Sequence, residues 1–553
     1  MTEEEAKKPQ KKERKIIPER IDHLGLVAAG IRKLGIIEFF EKKLPKDRQH
    51  KVSHGQSIAS MILMGLGYVN RRIYLTPEFF RGKSIERLIG EGLTAEDFND
   101  DVIGRSLDAI YEYGATELFL ELILEILPEI TQGKDQRFHA DTTSISLYVD
   151  YTEESEEVEE EVIEITYGYS KDHRQDLKQI MLSMVTNQDG IPFYVEPLSG
   201  NESDKENLIR AIKETVKKIQ KELSENQKVL YIADSALYTE KNIEALGEKT
   251  PFITHAPSTL NIVKELEKAE LEFRPTTDER YEVYLTTGEY GGVRQRYAVI
   301  KSKEMKERQK ATFERRREKE LTAAGKSLKK VCQKEYYCSA DALKELERWG
   351  KSHLLFRISG YEAIEKRVRK DGKRGKPDAQ TPMQSLYTLR AELAFNEEEV
   401  ERRKERMGRF VLATNDMSLD GETILKVYKE QSKVEKGFRF MKDPTLRVSD
   451  VFLKSKKRIM ALMMIMVLTL LVYSVLDRIL LQNLKEKNDV IRNIDRKEIK
   501  RPTMLLVFGM FQSIDYATFI EDGEIIFQEI TGLDDRINKI LSILGSEFEE
   551  IYE

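Results

Sequence analysis

From Ile459 to Leu476 the chain is apolar at nearly every position, broken only by Thr469, Tyr473 and Ser474. No other stretch limits the fold as strongly. A helix made from this run is hydrophobic all round, so it is stable only in a bilayer or in the interior of a large protein. Its length sits at the threshold for crossing a membrane, and Lys454, Lys456, Lys457 and Arg458 flank it as interfacial anchors would. Yet it stands alone of its kind in 553 residues and follows directly on a charged segment. The reading preferred here is a helix buried inside the protein, with no membrane partner; a membrane-anchored protein is the alternative.

Such a helix needs a large surrounding core. A length of 553 residues predicts several domains, and a hydrophobic content of 40% can supply their interiors. The formal net charge is −6, so total charge gives no sign of nucleic acid. Local charge does. From Lys426 to Arg458 eleven Lys or Arg stand against four Asp or Glu, and thirteen Lys or Arg fall between Lys301 and Lys334. The N-terminal tail adds Lys7, Lys8, Lys11, Lys12, Arg14 and Lys15. Such stripes bind phosphate or are simply solvated helix faces. The two cysteines, Cys332 and Cys338, fit neither a disulfide framework nor a zinc pattern and are expected as free thiols in a reducing compartment. The charged N-terminus has no apolar signal region.

Periodicity divides the chain. Residues 1–18 are predicted as a disordered basic tail. Residues 19–132 read as a helical domain, with Ser53 capping a helix whose face carries Ile58, Met61, Ile62 and Leu66, and Asn99 opening another. Residues 133–257 change character. Strands are predicted at Arg137–Tyr148, Ile180–Thr186 and Ile191–Glu196, followed by a helix opened by a Ser203/Glu206 capping box. A strand at Val229–Ala233, a helix at Thr239–Leu246 and a strand at Phe252–Thr254 come next. An acidic tract from Glu153 to Glu161 interrupts as a solvated loop. Three antiparallel strands and then helical crossovers predict a mixed α/β sheet of RNase H-like order, still lacking its last helix. Residues 258–408 read as an insertion domain, β-rich with charged helices. Residues 409–482 resume the core through a strand at Phe410–Thr414 and a helix from Gly421 to Lys442, and 483–553 form a C-terminal region.

Three carboxylates stand out on this frame. Asp141 lies on the first core strand and Asp234 ends an apolar strand. A carboxylate in such a place must be solvated, hydrogen-bonded or bound to a cation, because burying it unpaired costs several kcal/mol. On the late helix, Tyr428, Glu435 and Lys442 are spaced by seven and seven, which places them on one face with Gln431 between. Carboxylates on two strands and one helix can hold two divalent cations, which stabilise both oxygens of an in-line phosphoryl displacement.

These residues resemble transposases of the IS4-like superfamily, within it the IS1634 group, over nearly the whole chain. Asp22-His23-Leu24-Gly25-Leu26-Val27-Ala28-Ala29-Gly30 is similar to that group's N-terminal domain, and His139-Ala140-Asp141-Thr142-Thr143-Ser144 to its first catalytic strand. Gly168 to Arg174, Asp176 to Gln179, Gly200-Asn201 and Ala233-Asp234 also match, as do Tyr428, Glu435 and Lys442 of a Y-x2-R-x3-E-x6-K signature. Gln431 replaces its Arg, which removes one charged contact. The resemblance implies Asp141, Asp234 and Glu435 as ligands of two Mg2+ ions, with Mn2+ able to replace them. It implies that Tyr428 and Lys442 contact transposon-end DNA. It also implies an insertion between the second and third acids, and 201 residues separate Asp234 from Glu435 against 93 between Asp141 and Asp234. In relatives with such an insertion the second strand is cut through a DNA hairpin and a Trp can hold a flipped base. The sole Trp is Trp349, and a lone Trp is more often plain packing. Lys171, His173 and Arg174 are expected near the site mouth on phosphate, or as a structural turn.

The implied activity is DNA transposition. Water cuts at the terminal inverted repeats, and the freed 3′-hydroxyls attack target DNA, with a homodimer holding two ends in the prokaryotic cytoplasm, associated with the nucleoid. A nuclease without strand transfer and a catalytically silent DNA-binding descendant are the rival readings.

Overall fold

The structure, a computed structural model, describes residues 14–68, 75–147, 162–170, 174–223, 227–370, 380–431, 435, 437–440, 455–493 and 495–553. The apolar run forms the middle of a 31-residue helix, Lys456–Glu486. Among the described residues it is the one helix long and apolar enough to cross a membrane, and 89% of its most apolar 18-residue window is buried inside the protein. Leu462, Met463, Met464 and Ile465 are consecutive and all 0% exposed. Consecutive helical residues point roughly 100° apart, so no side of the helix faces water. Helices Leu24–Lys33, His54–Gly65, Asp100–Tyr113 and Ala115–Glu125 pack around it. Its arginines find oxygen partners near the ends of the run. Arg458 grips Asp108 with two bonds of 2.7 Å, and Arg478 donates to the carbonyls of Glu129 and Ile130.

The chain forms two units. The first comprises residues up to Thr254, Glu289–Arg294 and Lys426–Glu553; the second comprises His255–Gly288 and Gln295–Leu425. The first unit is closed by its own ends. Strand β1, Arg14–Arg20, pairs antiparallel with Asp515–Glu521, which forms a hairpin with Glu524–Thr531. Residues 14–18, expected within the basic tail, are therefore ordered as a strand, because a partner about 500 residues away satisfies their backbone. Tyr552 completes the closure: its hydroxyl donates to the Asp22 carbonyl at 2.5 Å and accepts from the Leu26 N–H at 3.1 Å. A Cβ on Gly25 would stand 2.5 Å from the Tyr552 ring, and one on Gly30 would stand 3.2 Å from Leu476. The His23 Nε2 donates to the Leu66 carbonyl at 2.8 Å. The Asp22–Gly30 motif is thus a packing device. Tyr552→Phe is expected to lower stability by about 1–3 kcal/mol, since it strands a buried N–H and a buried carbonyl. A urea midpoint unchanged from the parent chain would contradict this.

The capping residues Ser53 and Asn99 behave as expected, with Ser53 in a full capping box with Gln56. Ser203 occupies its cap position but makes no side-chain cap bond; the next residue, Asp204, instead accepts from Thr142 Oγ1 at 2.6 Å.

The sheet of the first unit contains β2 (Gln136–Ser146), β3 (Gln179–Thr186), β4 (Pro192–Leu198), β5 (Val229–Ala233) and β6 (Phe252–Ala256). Its order is β4-β3-β2-β5-β6, with β2, β3 and β4 antiparallel and β2, β5 and β6 parallel. This is the RNase H-like order anticipated from the sequence. The helix Asp204–Thr215 lies on the Thr142 side of β2, as the Thr142–Asp204 bond fixes.

The strand expected at Phe410–Thr414 is present as Arg409–Thr414 and pairs antiparallel with Val293–Ser302. Among the charged helices of the second unit is one of 31 residues, Lys303–Gln333. A long hairpin, Phe356–Arg369 with Met383–Phe395, joins it. The acidic tract lies outside the described residues up to Glu161.

Candidate active site

Strand pairing brings two of the expected acids together. The parallel register of β2 and β5 ends at Ala140 opposite Ala233. One step further come Asp141 and Asp234, on adjacent strands spaced about 4.8 Å apart. Both are half-buried. The Asp141 carboxylate accepts the Thr142 N–H at 2.7 Å, and that of Asp234 accepts the Ala236 N–H at 2.9 Å. Thr254 Oγ1 donates to the Asp234 carbonyl at 2.7 Å and steadies the turn where β5 ends.

The third acid arrives on a helix that the sequence reading made continuous. It is not. The helix Gly421–Lys429 ends, and Glu430 and Gln431 donate to the carbonyls three residues back, Val427 and Tyr428. At Glu435 the N–H again reaches four back, to Gln431, at 3.3 Å. The chain is helical at Glu435 and at 437–440; residues 432–434 and 436 lie outside the described set. The bonds at Glu430 and Gln431 are those of tighter turns than an α-helix makes.

Two contacts fix where this segment lies. Arg137 sits four residues before Asp141 on β2, hence on the same sheet face, and its guanidinium pairs with Glu430 at 3.2 Å. Met184 on β3 stands opposite Asp141, again on that face. A Cβ on Gly437 would meet Leu470 at 3.2 Å and Met184 at 3.7 Å. Glu430 and Gly437 thus lie over the Asp141 face, with the long helix behind Gly437. Gly437 is used for this close approach, and Phe440 packs on Tyr473 at 4.6 Å between ring centroids.

Tyr428 reports on all three acids. Burial pushes its phenol up to about 12, and Asp234, Glu435 and Asp141 each push it the same way. It stays protonated at neutral pH and can donate a hydrogen bond. Glu435 itself is exposed. Among the described residues no three His, Cys, Asp or Glu side chains stand close enough to cage one ion. The donor set suits a hard cation, since it is all carboxylate oxygen, but Glu435 has to swing inward to join the two aspartates.

Other expected residues fare unevenly. Arg174 is tied to Asp176 by bonds of 2.8 and 2.7 Å, which hold that carboxyl below its usual range. Gln431 is half-buried beside the break. Lys171, His173 and Lys442 lie outside the described residues. Trp349 is 5% exposed in the core of the second unit, with Leu328, Tyr336 and Leu346. Its Nε1 donates to Ser327 at 3.0 Å and its ring stacks on His353 at 4.1 Å. No base can stack on it unless that cluster opens, which corrects the expectation of a base-holding role in this conformation.

The stretches around Gly168 and Gly200 meet beneath the sheet edge. Thr166 and Gln179 exchange backbone bonds, and Gln179 Nε2 donates to the Gly200 carbonyl at 2.7 Å. Arg137 and Glu430 were missed by sequence reasoning. Strand alternation from Asp141 already placed Arg137 on the right face, but nothing local named its partner.

Comparison with known families agrees with this geometry. The family described as Transposase DDE domain matches residues 158–472, more than half of the chain. The chain belongs to that family: it is a DDE transposase, a metal-dependent enzyme that cleaves and transfers DNA. The match includes Asp234 and Glu435 and begins after Asp141. A domain of unknown function (DUF4277) matches residues 16–124. No curated protein matches the chain.

Proposed function

We propose that the protein is the transposase of an insertion sequence of the IS4-like superfamily, IS1634 group. In this reading Asp141, Asp234 and Glu435 form its catalytic triad. The observation that carries this is the shared register of Asp141 and Asp234 under a segment whose Tyr428 feels all three carboxylates. When bound, a pair of Mg2+ ions would supply Lewis-acid stabilisation of the attacking and leaving oxygens.

The chain's own residues do the rest. Asp141 and Asp234, fixed by backbone N–H groups on a rigid sheet, define where the scissile phosphate sits. Water attacks that phosphorus and the P–O3′ bond breaks, leaving a free 3′-hydroxyl at the element's end. That hydroxyl then attacks a target phosphodiester, so one bond forms as one breaks and no external energy is needed. Tyr428, protonated, donates to a phosphate oxygen; Lys442 and the loop bearing Lys171, His173 and Arg174 hold the end DNA. The helical N-terminal region grips the terminal repeats. A homodimer pairs two ends, in the cytoplasm beside the nucleoid.

The test is a labelled donor end incubated with a target plasmid and Mg2+. Joined donor–target products are expected. Cleaved donor with no joined product would replace this reading with a nuclease.

A further inference from the structure

The second unit contains a cleft of about 880 Å3 that the catalytic reading does not use. Its walls come from the long helix Lys303–Gln333, the helix Glu397–Arg406 and the start of the strand Arg409–Thr414. Six Lys or Arg line it against three Glu, in a chain whose net charge is −6. Carboxylates neutralise it only in part, and Arg308 pairs with Glu304 beyond the lining. Glu320 pairs with Arg403 at 3.4 Å, Glu399 pairs with Arg402 outside the cleft, and burial pushes the Glu267 carboxyl up toward its neutral form.

Among the described residues Lys268, Arg316 and Arg406 have no carboxylate partner. Arg409 is held by the carbonyls of Glu267 and Ala269 at 3.0 and 2.8 Å, which fix its direction without cancelling its charge. Burial and the neighbouring Arg406 both push the Arg409 guanidinium down. Arg406 and Arg409 repel each other, only partly offset by Glu267 and Glu405, and a bound anion would lower that cost. Aromatic rings floor the cleft: Phe313 lies 4.9 Å under Arg403, and Phe410 stacks beside His255.

We propose that this cleft binds the sugar–phosphate backbone of a DNA strand through Lys268, Arg316 and Arg406. The inference rests on the transposase reading for the identity of the polyanion. It goes beyond that reading in assigning a DNA site made wholly of second-unit residues. The cations come from three separate elements and the space far exceeds one phosphate, so a chain of phosphates fits better than a single ion.

The experiment measures binding of a fluorescent random-sequence duplex, and of its single strand, to the full chain without divalent metal. Arg316→Ala/Arg406→Ala is compared with the unaltered chain across a salt series. The slope of log affinity against log salt is expected to fall by about two, with at least a fivefold weaker affinity at about 0.1 M salt. Arg316→Lys/Arg406→Lys is expected to keep most of the slope. An unchanged slope in the alanine variant would overturn the proposal. So would equal loss in the lysine variant, which would mark a packing role, or displacement of DNA by millimolar inorganic phosphate at matched ionic strength, which would mark a small-anion site. Arg348→Ala serves as the control: this exposed residue of the second unit lies outside the cleft, so the variant should keep the slope of the unaltered chain. If the unaltered chain binds no DNA, the transposase reading falls as well.

Discussion

Asp141→Asn is expected to lower both donor cleavage and strand joining by at least about a thousandfold, or about 4 kcal/mol of barrier. The change is isosteric and keeps an oxygen to accept the Thr142 N–H. The fold should therefore survive, and so should DNA binding. What disappears is one unit of negative charge where β2 and β5 run side by side. Asp234→Asn should do the same, because its carboxylate stands one strand away at the same level. Residues that act as one unit are non-additive, so the double variant should be scarcely slower than either single one. A rate within tenfold of the parent for Asp141→Asn, in a gel assay with labelled donor, would remove this residue from the catalytic set.

Gly200→Ala is expected to cost about 3 kcal/mol or more, and to show as loss of soluble, cooperatively unfolding protein. A methyl on Gly200 would overlap the Gln179 carbonyl oxygen and stand 2.8 Å from that of Thr166. Both obstacles are backbone, so neither can rotate aside. Relief would require separating the Thr166–Gln179 crossing, and Gln179 starts β3, the strand paired with the one carrying Asp141. Near-normal urea unfolding of this variant would show that the crossing is looser than the geometry requires.

How much of this was legible in the sequence varied with the range of the forces involved. Asp234 could be read because an apolar strand ending in a carboxylate is locally odd. The pairing order of the sheet could be read because strand and crossover signals are also local. Glu435 could be read only through family resemblance, and the helix carrying it was drawn too straight. Nothing in residues 421–442 announces the three-residue hydrogen bonds at Glu430 and Gln431. The long hairpin Phe356–Arg369 with Met383–Phe395 was missed because most of its first strand is exposed on both faces, which erases the alternation that marks a half-buried strand. The Asp22–Gly30 motif was noticed, but its cause was invisible: Leu26 bonds to a tyrosine 526 positions later.

The interlock of β1 and the first helices with Lys456–Glu486 and Tyr552 has a consequence for biosynthesis. The helices that precede Glu125 leave the ribosome with their apolar sides uncovered, because the helix they surround is encoded more than 300 residues downstream. At about 5–20 residues per second they wait roughly 15–70 s for it. The second unit holds all its residues by Leu425 and can collapse during that interval. The nascent N-terminal segment is therefore the part of the molecule that needs a chaperone's shelter, and a message cut short before codon 456 yields a chain that cannot assemble the cutting centre.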